Sequence, residues 1–268
     1  MVVAPRMMVA VGALLCQAEC ARRGVVLWSH GRSASDALAG TLKDSANFSY
    51  CNGLREGFGN KHDSSLISKQ ALDACRDRNQ MLTHVMPVFL DKPGNALTTP
   101  KAFFRAARDR GFKVVVAVWR ENVLARQVSS FELMVAHGRV SSRDAGAREH
   151  FCGGTLTQQI EDLTRAYRDG VNAARDAGLA VVERTFDEVV SDLCGTVAAV
   201  TELEDEFRGS SCRPFESPHV LTSQRHKDLA GRTTPEAAAC TARELRPSAY
   251  AWLRDLGRRH PPPRNASR

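Results

Sequence analysis

The chain has 268 residues, of which 43% are hydrophobic and 25% are charged, and its formal net charge at pH 7 is +7. These proportions are those of an ordinary soluble protein, they exclude general disorder, and the length favours one domain with room for a small appendage. The spread basic charge suits an anionic small ligand or an acidic polymer, whereas no zinc-finger spacing, RNA-binding aromatic pattern or basic zipper supports nucleic acid as a partner.

The first predicted element is a leader over residues 1–20. Arg6 precedes an apolar run at residues 7–15, and small residues follow. This pattern is typical of a secretory signal peptide and is too short for a membrane span, so we expect no stable membrane insertion apart from the leader. The alternative is an additional buried strand. A true leader predicts the secretory pathway or Golgi lumen, where some cysteines could pair, and without it we expect a cytoplasmic protein.

Apolar runs and helix-like stretches alternate along the first half of the chain. Residues 25–28 predict a strand, and a helix follows from Asp36. A second apolar segment covers residues 81–90, and residues 100–110 predict a helix that a proline opens and a glycine ends.

The second half continues the alternation. Its best strand is "FKVVVAVW" at 112–119, because a continuous β-branched run is typical of a strand buried on both faces. Helices are predicted after Asn122 and over 155–177, a further strand over 179–186, and helix again beyond it. Strands that alternate with helices indicate an α/β fold with a central parallel sheet, and residues 259–268 predict a disordered tail.

A short turn of basic and hydroxyl residues, "HGRSAS", lies between the first strand and its helix. In open parallel sheets, ligands bind beyond the carboxyl ends of strands, where helix amino termini attract phosphate. Arg32 would add a bidentate charge, and Ser33 and Ser35 would add hydroxyl donors. The turn therefore predicts a phosphate site. The alternative is a serine that only caps the helix, beside an ordinary surface arginine.

The turn matches neither of two common phosphate-binding loops. A Walker A loop would need Gly-Lys where Ser35 and Asp36 stand, which disfavours an ATP-dependent phosphotransferase, and GxGxxG is missing because only Gly31 is present. The eight cysteines include no CxxC pair, so neither a zinc ribbon nor a redox motif is indicated and no metal is expected.

A second segment carries a more specific pattern. "RENVLARQVS" places Arg120 after the strongest strand and Ser129 nine residues later. Together with "SHGRSAS", it resembles the PAPS-dependent sulfotransferases, which bind 3'-phosphoadenosine 5'-phosphosulfate (PAPS). In that family a K/R-S-G-[ST]-[ST] turn holds the 5'-phosphosulfate, and an Arg and a Ser after a later strand hold the 3'-phosphate. Weaker matches extend the resemblance over residues 24–257.

The resemblance implies a three-layer α/β sandwich with a P-loop NTPase-like sulfotransferase fold over residues 21–258. It also implies transfer of a sulfuryl group from PAPS to a hydroxyl or amine of an acceptor, a glycan or a small alcohol. It assigns residues to the nucleotide by position. The 5'-phosphosulfate would be held by Arg32, Ser33, Ala34 and Ser35, the 3'-phosphate by Arg120 and Ser129, and a late closing loop would contribute Lys227 and Arg232.

Two positions depart from the family pattern. Ala34 stands where the family has glycine, and Asp36 stands where a serine or threonine is common, so a carboxylate would lie beside the phosphate unless it points away. Both departures favour an alternative in which the protein keeps the fold and nucleotide binding but has lost turnover.

The resemblance offers two candidates for the catalytic base. His84 in "LTHVMP" resembles the "KTHLP" of cytosolic members, whose histidine is the base, and Glu56 lies where carbohydrate-directed and bacterial members place a glutamate. The alternatives are a satisfied core histidine and a solvated loop carboxylate. We assign Trp28, Trp119 and Trp252 to packing and not to a sugar platform.

Overall fold

The structure is a computed structural model. It describes residues 24–31, 33–46, 48–51, 67–91, 93–120, 123–136, 138–139, 151, 156–201, 212 and 214. Several predictions lie outside the described residues: the leader at 1–20, the tail at 259–268, Trp252 and the site residues Arg32, Glu56, Lys227 and Arg232.

A parallel sheet forms the centre of the described part of the chain. Its strands are β1 (Gly24–Ser29), β2 (Leu82–Val85), β3 (Phe112–Trp119) and β4 (Ala180–Thr185). Their order across the sheet is β2-β1-β3-β4, and every pairing is parallel. Tyr50 adds an isolated parallel bridge to Leu82 on the outer side of β2.

The continuous apolar runs explain why the two central strands are buried on both faces. All residues of β1 are buried, and in β3 only Lys113 is exposed and only Trp119 is half-buried. The bounds of β3 confirm the strand that the β-branched run at 112–119 predicts.

Helices follow or precede each strand. They are α1 (Ser35–Ala46), α2 (Lys69–Asp77), α3 (Pro87–Leu90), α4 (Pro100–Arg108), α5 (Val123–Ala136), α6 (Leu156–Asp176), α7 (Phe186–Ser191) and α8 (Leu193–Thr201). Side-chain caps fix several of the starting points: Ser68 Oγ accepts from the amide of Ala71, and Thr99 Oγ1 accepts from that of Ala102.

Two segments that the sequence predicts to be continuous each form two separate elements in the structure. The apolar segment at 81–90 forms β2 and then the short α3, because Pro87 occupies the first helical position and cannot donate to the sheet. The helical stretch after β4 breaks at Asp192, whose Oδ1 accepts from the amide of Gly195 at 2.7 Å and so starts a new helix.

The helices pack on both faces of the sheet. On the side of α2, α4 and α6, which we call the α6 face, Val26 and Trp28 of β1 belong to one apolar cluster with these helices, and the ring of Trp28 meets that of Phe104 of α4 edge-on. On the side of α1, α7 and α8, which we call the α1 face, Val25 and Leu27 of β1 pack against these helices. This is an α/β fold with a central parallel sheet between helices, as the alternation of strands and helices predicts.

Two disulfides link described cysteines. Cys51, next to the edge bridge, pairs with Cys75 of α2, and Cys194 of α8 pairs with Cys212, with Cα–Cα separations of 5.1 and 5.6 Å. Across the ranges that the structure describes, no helix combines the length and the apolarity needed to cross a bilayer, and no group of three metal-ligating side chains forms.

Candidate functional site

The strand order singles out one end of the sheet. The chain leaves β1 toward β2 on one side and leaves the adjacent β3 toward β4 on the other, so the two connections diverge between β1 and β3. In open α/β sheets, the crevice at such a point, beyond the carboxyl ends of the strands, is where ligands bind. Ser29 pairs with Val118 in the β1–β3 register, so Gly31 and Arg120 each follow two residues beyond this pair. The two predicted phosphate-binding segments therefore leave the sheet at the same edge.

The turn after β1 has an unusual backbone conformation at its centre. Ala34 has φ of 61°, in the left-handed region that favours glycine and that costs other residues about 1–2 kcal/mol. Its carbonyl accepts from Leu38 at 3.1 Å, so the strained residue directly precedes the first turn of α1. A left-handed residue next to helical ones aims successive amides into a concavity that suits anions.

Two serines flank this strained residue. Ser33 is 1% exposed, and its hydroxyl oxygen has no hydrogen-bond partner among the described residues. Ser35, the first residue of α1, is buried, whereas Asp36 is exposed. A buried hydroxyl without a partner carries a desolvation cost of about 1–3 kcal/mol, which a ligand accepting from it would remove.

Arg120 begins the second segment, at the carboxyl end of β3. The side chain is 2% exposed, and its guanidinium carbon lies 4.3 Å from the ring centroid of Phe186, the first residue of α7. Val189 of the same helix belongs to the α1-face cluster, so Arg120 lies on the face where α1 starts. Ser129 of α5 is 1% exposed. The cation–π contact holds the guanidinium in place at this edge.

His84, a predicted base, lies on β2 opposite Leu27 and is 3% exposed. A hydrogen bond of 2.8 Å joins its Nε2 to Ser29 Oγ, the last residue of β1. The histidine is therefore satisfied within the core, as one interpretation of the sequence expects, and it also lies at the edge where the turn begins.

His30 directly follows β1, at the start of the turn, and is missing from the predicted residues. Its Nε2 donates to the carbonyl of Leu163 at 2.8 Å, and its ring meets Trp119 edge-on with centroids 5.6 Å apart. Burial, together with the positive charge of Arg126, lowers the pKa of His30 to about 3, so the ring is neutral at physiological pH. Burial also lowers the pKa of Arg126 to about 10.

A cleft of about 340 Å³ opens between α6 and β4 on the α6 face, and two of its walls, Trp119 and Tyr167, also contact the ring of His30. Its walls are formed by Trp119, Thr164, Tyr167, Arg168, Arg184 and Thr185, together with two glutamates. The rings of Trp119 and Tyr167 lie with centroids 5.2 Å apart, tilted by 44°. Trp119 therefore packs against the core, as predicted, and also forms part of a ligand-sized surface.

The chain matches no protein-family model, no curated protein and no solved structure. What the protein does must therefore be inferred from its own residues and geometry.

The sheet brings together most of the predicted site residues that the structure describes. The turn with Ser33, Ala34 and Ser35 follows β1, and Arg120 follows β3, at the same edge of the sheet. The side chain of His84 also reaches this edge, where it is hydrogen-bonded to Ser29. Ser129 lies in the helix that follows β3. Arg32, Glu56, Lys227 and Arg232 are among the undescribed residues, so their roles stay predictions.

The residues that sequence reasoning missed carry only weak local signals. His30 lies inside the turn "HGRSAS", and Arg126 lies inside "RENVLARQVS", but neither occupies a position that the resemblance assigns. The cleft residues are spread over β3, α6 and β4, so only the paired register of these elements brings them together.

Proposed function

We propose that this protein is a PAPS-dependent sulfotransferase with a P-loop-like fold. It would transfer the sulfuryl group of PAPS to a hydroxyl or amine acceptor, with a glycan or a small alcohol as the acceptor class. The observation that carries the proposal is the left-handed Ala34 beside the unpartnered, buried hydroxyl of Ser33 at the start of α1.

The 5'-phosphosulfate subsite follows from that turn. Backbone strain of this kind persists where the surrounding structure enforces it, and such strain concentrates at ligand-binding sites. The left-handed conformation is the one a glycine would adopt without cost, so the conformation of Ala34 is compatible with the glycine of the family pattern. Ser33 Oγ then serves as a donor already removed from water, which favours an anionic oxygen over solvent.

The 3'-phosphate subsite would lie at the end of the neighbouring strand. Arg120 is buried and held by Phe186, so its charge faces little competition from bulk water. Because β1 and β3 are adjacent and parallel, a single nucleotide could meet the turn with its 5' end and Arg120 with its 3' end. Ser129 would donate its hydroxyl to the same 3'-phosphate.

PAPS supplies an activated sulfuryl group when it is bound. The acceptor oxygen or nitrogen forms a bond to sulfur, the bond from sulfur to the bridging oxygen breaks, and adenosine 3',5'-bisphosphate (PAP) leaves with that electron pair. His84 or Glu56 would take the acceptor proton. The hydrogen bond between Ser29 Oγ and His84 Nε2 would orient the His84 ring, and the amides at the start of α1 would stabilise the departing phosphate.

The two disulfides support the secretory-pathway alternative for where this reaction takes place. Disulfides persist in oxidising compartments and are rare in the cytosol. A Golgi lumen setting also agrees with the leader expected at residues 1–20 and with a glycan acceptor.

A transfer assay tests the proposal. Purified protein is incubated with ³⁵S-labelled PAPS and pooled glycans, small alcohols and amines, and labelled products are separated. We expect transfer to at least one pool, lost in Ser33→Ala and kept in Ser191→Ala, which alters an exposed serine of α7. If magnesium–ATP raises the melting temperature more than PAP does, the phosphotransferase alternative replaces the proposal.

One observation favours a second candidate, a non-catalytic nucleotide-binding protein of the same fold. His84 is almost completely buried, and its Nε2 is already hydrogen-bonded to Ser29. A sulfuryl acceptor would therefore have to enter the core to give its proton to this histidine. This candidate predicts that PAP binds with no label transfer to any pool.

A further inference from the structure

We propose that the cleft between α6 and β4 is a second ligand site, which takes a molecule of one or two rings carrying a carboxylate. The cleft lies on the α6 face, whereas the turn and Arg120 that would hold the nucleotide face α1. Nothing in this proposal depends on sulfuryl transfer.

The size and walls of the cleft suit a ring. A volume of about 340 Å³ is at the lower end of small-molecule sites. The indole of Trp119 is half-buried, so part of its surface remains open to a ligand, and the ring of Tyr167 lies against it. Two adjacent aromatic rings of this kind offer a large, stiff surface for the apolar face of a sugar or an aromatic molecule.

The carboxylates of the cleft are already occupied. Glu183 forms an ion pair with Arg175 of α6, and Glu188 accepts from the amide and hydroxyl of Thr185 as part of a capping box. The same bonds to Thr185 hold the pKa of Glu188 below its usual range, so it stays ionised as a helix cap. Both glutamates are therefore engaged by groups of the protein itself.

The two arginines of the cleft, unlike the glutamates, keep most of their hydrogen-bond donors unused. Arg168 is exposed at the rim and has no hydrogen bond or ion pair to any described residue, and Arg184 uses only Nη1, which donates to the carbonyl of Glu183 at 3.0 Å. The cleft walls thus carry two guanidinium groups and two carboxylates, and Arg175, outside the walls, pairs with one of these carboxylates. The planar guanidinium fork matches a carboxylate in a bidentate manner, so the unused donors favour an acidic ligand.

The hydroxyl of Tyr167 is a further hydrogen-bond donor in the cleft. Thr164 donates its hydroxyl to Ile160 O, whereas the hydroxyl of Tyr167 has no partner among the described residues. Burial raises the pKa of Tyr167, so this hydroxyl stays protonated. A ring carrying hydroxyl or ether oxygens would therefore find a donor beside the aromatic wall.

Calorimetric titration of the full chain, without nucleotide, tests the site. The probes are benzoate and glucuronate, each compared with its neutral amide, so that the two arms distinguish an aromatic acid from a sugar acid. We expect at least one acid to bind about fivefold more tightly than its amide. Arg168→Gln should remove that difference, whereas Arg165→Gln, on the same helix and exposed outside the cleft, should preserve it.

A second variant tests the aromatic wall. Trp119→Leu should weaken the acid and its amide by the same factor, with the fold checked by circular dichroism. The proposal is overturned if neither acid binds, if acid and amide bind equally, or if Arg165→Gln weakens the acid as much as Arg168→Gln does. Since nucleotide is absent, none of these results bears on the sulfotransferase proposal.

Discussion

Trp119 and Arg120 are neighbours in sequence, yet they serve opposite faces of the sheet. Trp119 packs with the α6-face cluster and lines an aromatic cleft, whereas Arg120 stacks on Phe186 on the side where α1 begins. Because successive side chains of an extended chain point to opposite sides, one strand end supplies two chemically different surfaces. In our proposals the α1 face would hold an anion through backbone amides and buried donors, and the α6 face would hold a ring.

The two faces also differ in how they are stabilised. On the α6 face, close packing dominates, since α6 approaches β1 at Gly170 directly against the indole of Trp28, whose Nε1 donates to Tyr167 O at 3.1 Å. On the α1 face, the turn at Ala34 is strained and Ser33 is unsatisfied. The close helix–strand approach therefore lies on one face, and the strained turn with its unpartnered hydroxyl lies on the other.

We expect the largest loss of stability from a substitution that disrupts the packing of the α6 face. In Gly170→Ala, the added methyl group would overlap the indole of Trp28, so the free energy of unfolding should fall by about 3 kcal/mol despite the better helix propensity of alanine. Urea denaturation measures the change. Asp169→Ala, at the exposed neighbouring position, should stay within about 0.5 kcal/mol of the parent. A Gly170→Ala protein as stable as the parent would contradict the close approach.

The dependence of stability on pH tests whether His30 is neutral in the folded protein. The folded protein holds the pKa of His30 at about 3, while the unfolded chain binds the proton near pH 6.5. Below about pH 6.5 the unfolded state binds more protons, so stability falls as the pH decreases toward 3. Between pH 7 and pH 5 this group should remove about 2 kcal/mol.

The variant His30→Gln isolates that contribution, since glutamine does not titrate. Urea unfolding at pH 7 and pH 5 should show a smaller loss in His30→Gln than in the parent, by about 2 kcal/mol. Equal losses in the two proteins would mean that His30 is not held neutral beside Arg126.

The smallest effect concerns the strain on the α1 face. Ala34→Gly should raise the free energy of unfolding by about 1 kcal/mol, because glycine adopts φ of 61° without the alanine penalty. The same substitution at Ala198, an exposed position inside α8, should lower stability by about 1 kcal/mol. Opposite signs in thermal unfolding support the strained turn, and two losses would contradict it.

Local patterns were sufficient to predict much of the fold. The β-branched run gave the bounds of β3, and Pro100 marks the first residue of α4. Both signals depend on residues close in sequence. The break at Asp192 was missed because a single Asx cap to Gly195 decides it within an otherwise helical pattern.

The candidate site was only partly predictable, for the same reason. A turn after one strand and an arginine after a later strand can be read from the sequence, and the parallel register of β1 and β3 then brings both to one edge. The backbone angle of Ala34, the burial of Ser33 and the cleft depend on contacts between distant segments. Leu163, for example, meets His30 across 133 residues of chain.

The most direct measurement compares the affinities of two nucleotides, PAP and AMP, for the parent and two variants. Arg120→Ala should weaken PAP about 100-fold and leave AMP within about threefold, because AMP lacks the 3'-phosphate that Arg120 would bind. Ser33→Ala should weaken both nucleotides about equally, because both carry the 5'-phosphate. Arg120→Lys keeps the positive charge, so it separates loss of the charge from loss of folding. Equal losses of PAP and AMP in Arg120→Ala would contradict the account, since two neighbouring strand ends would then not hold opposite ends of one nucleotide.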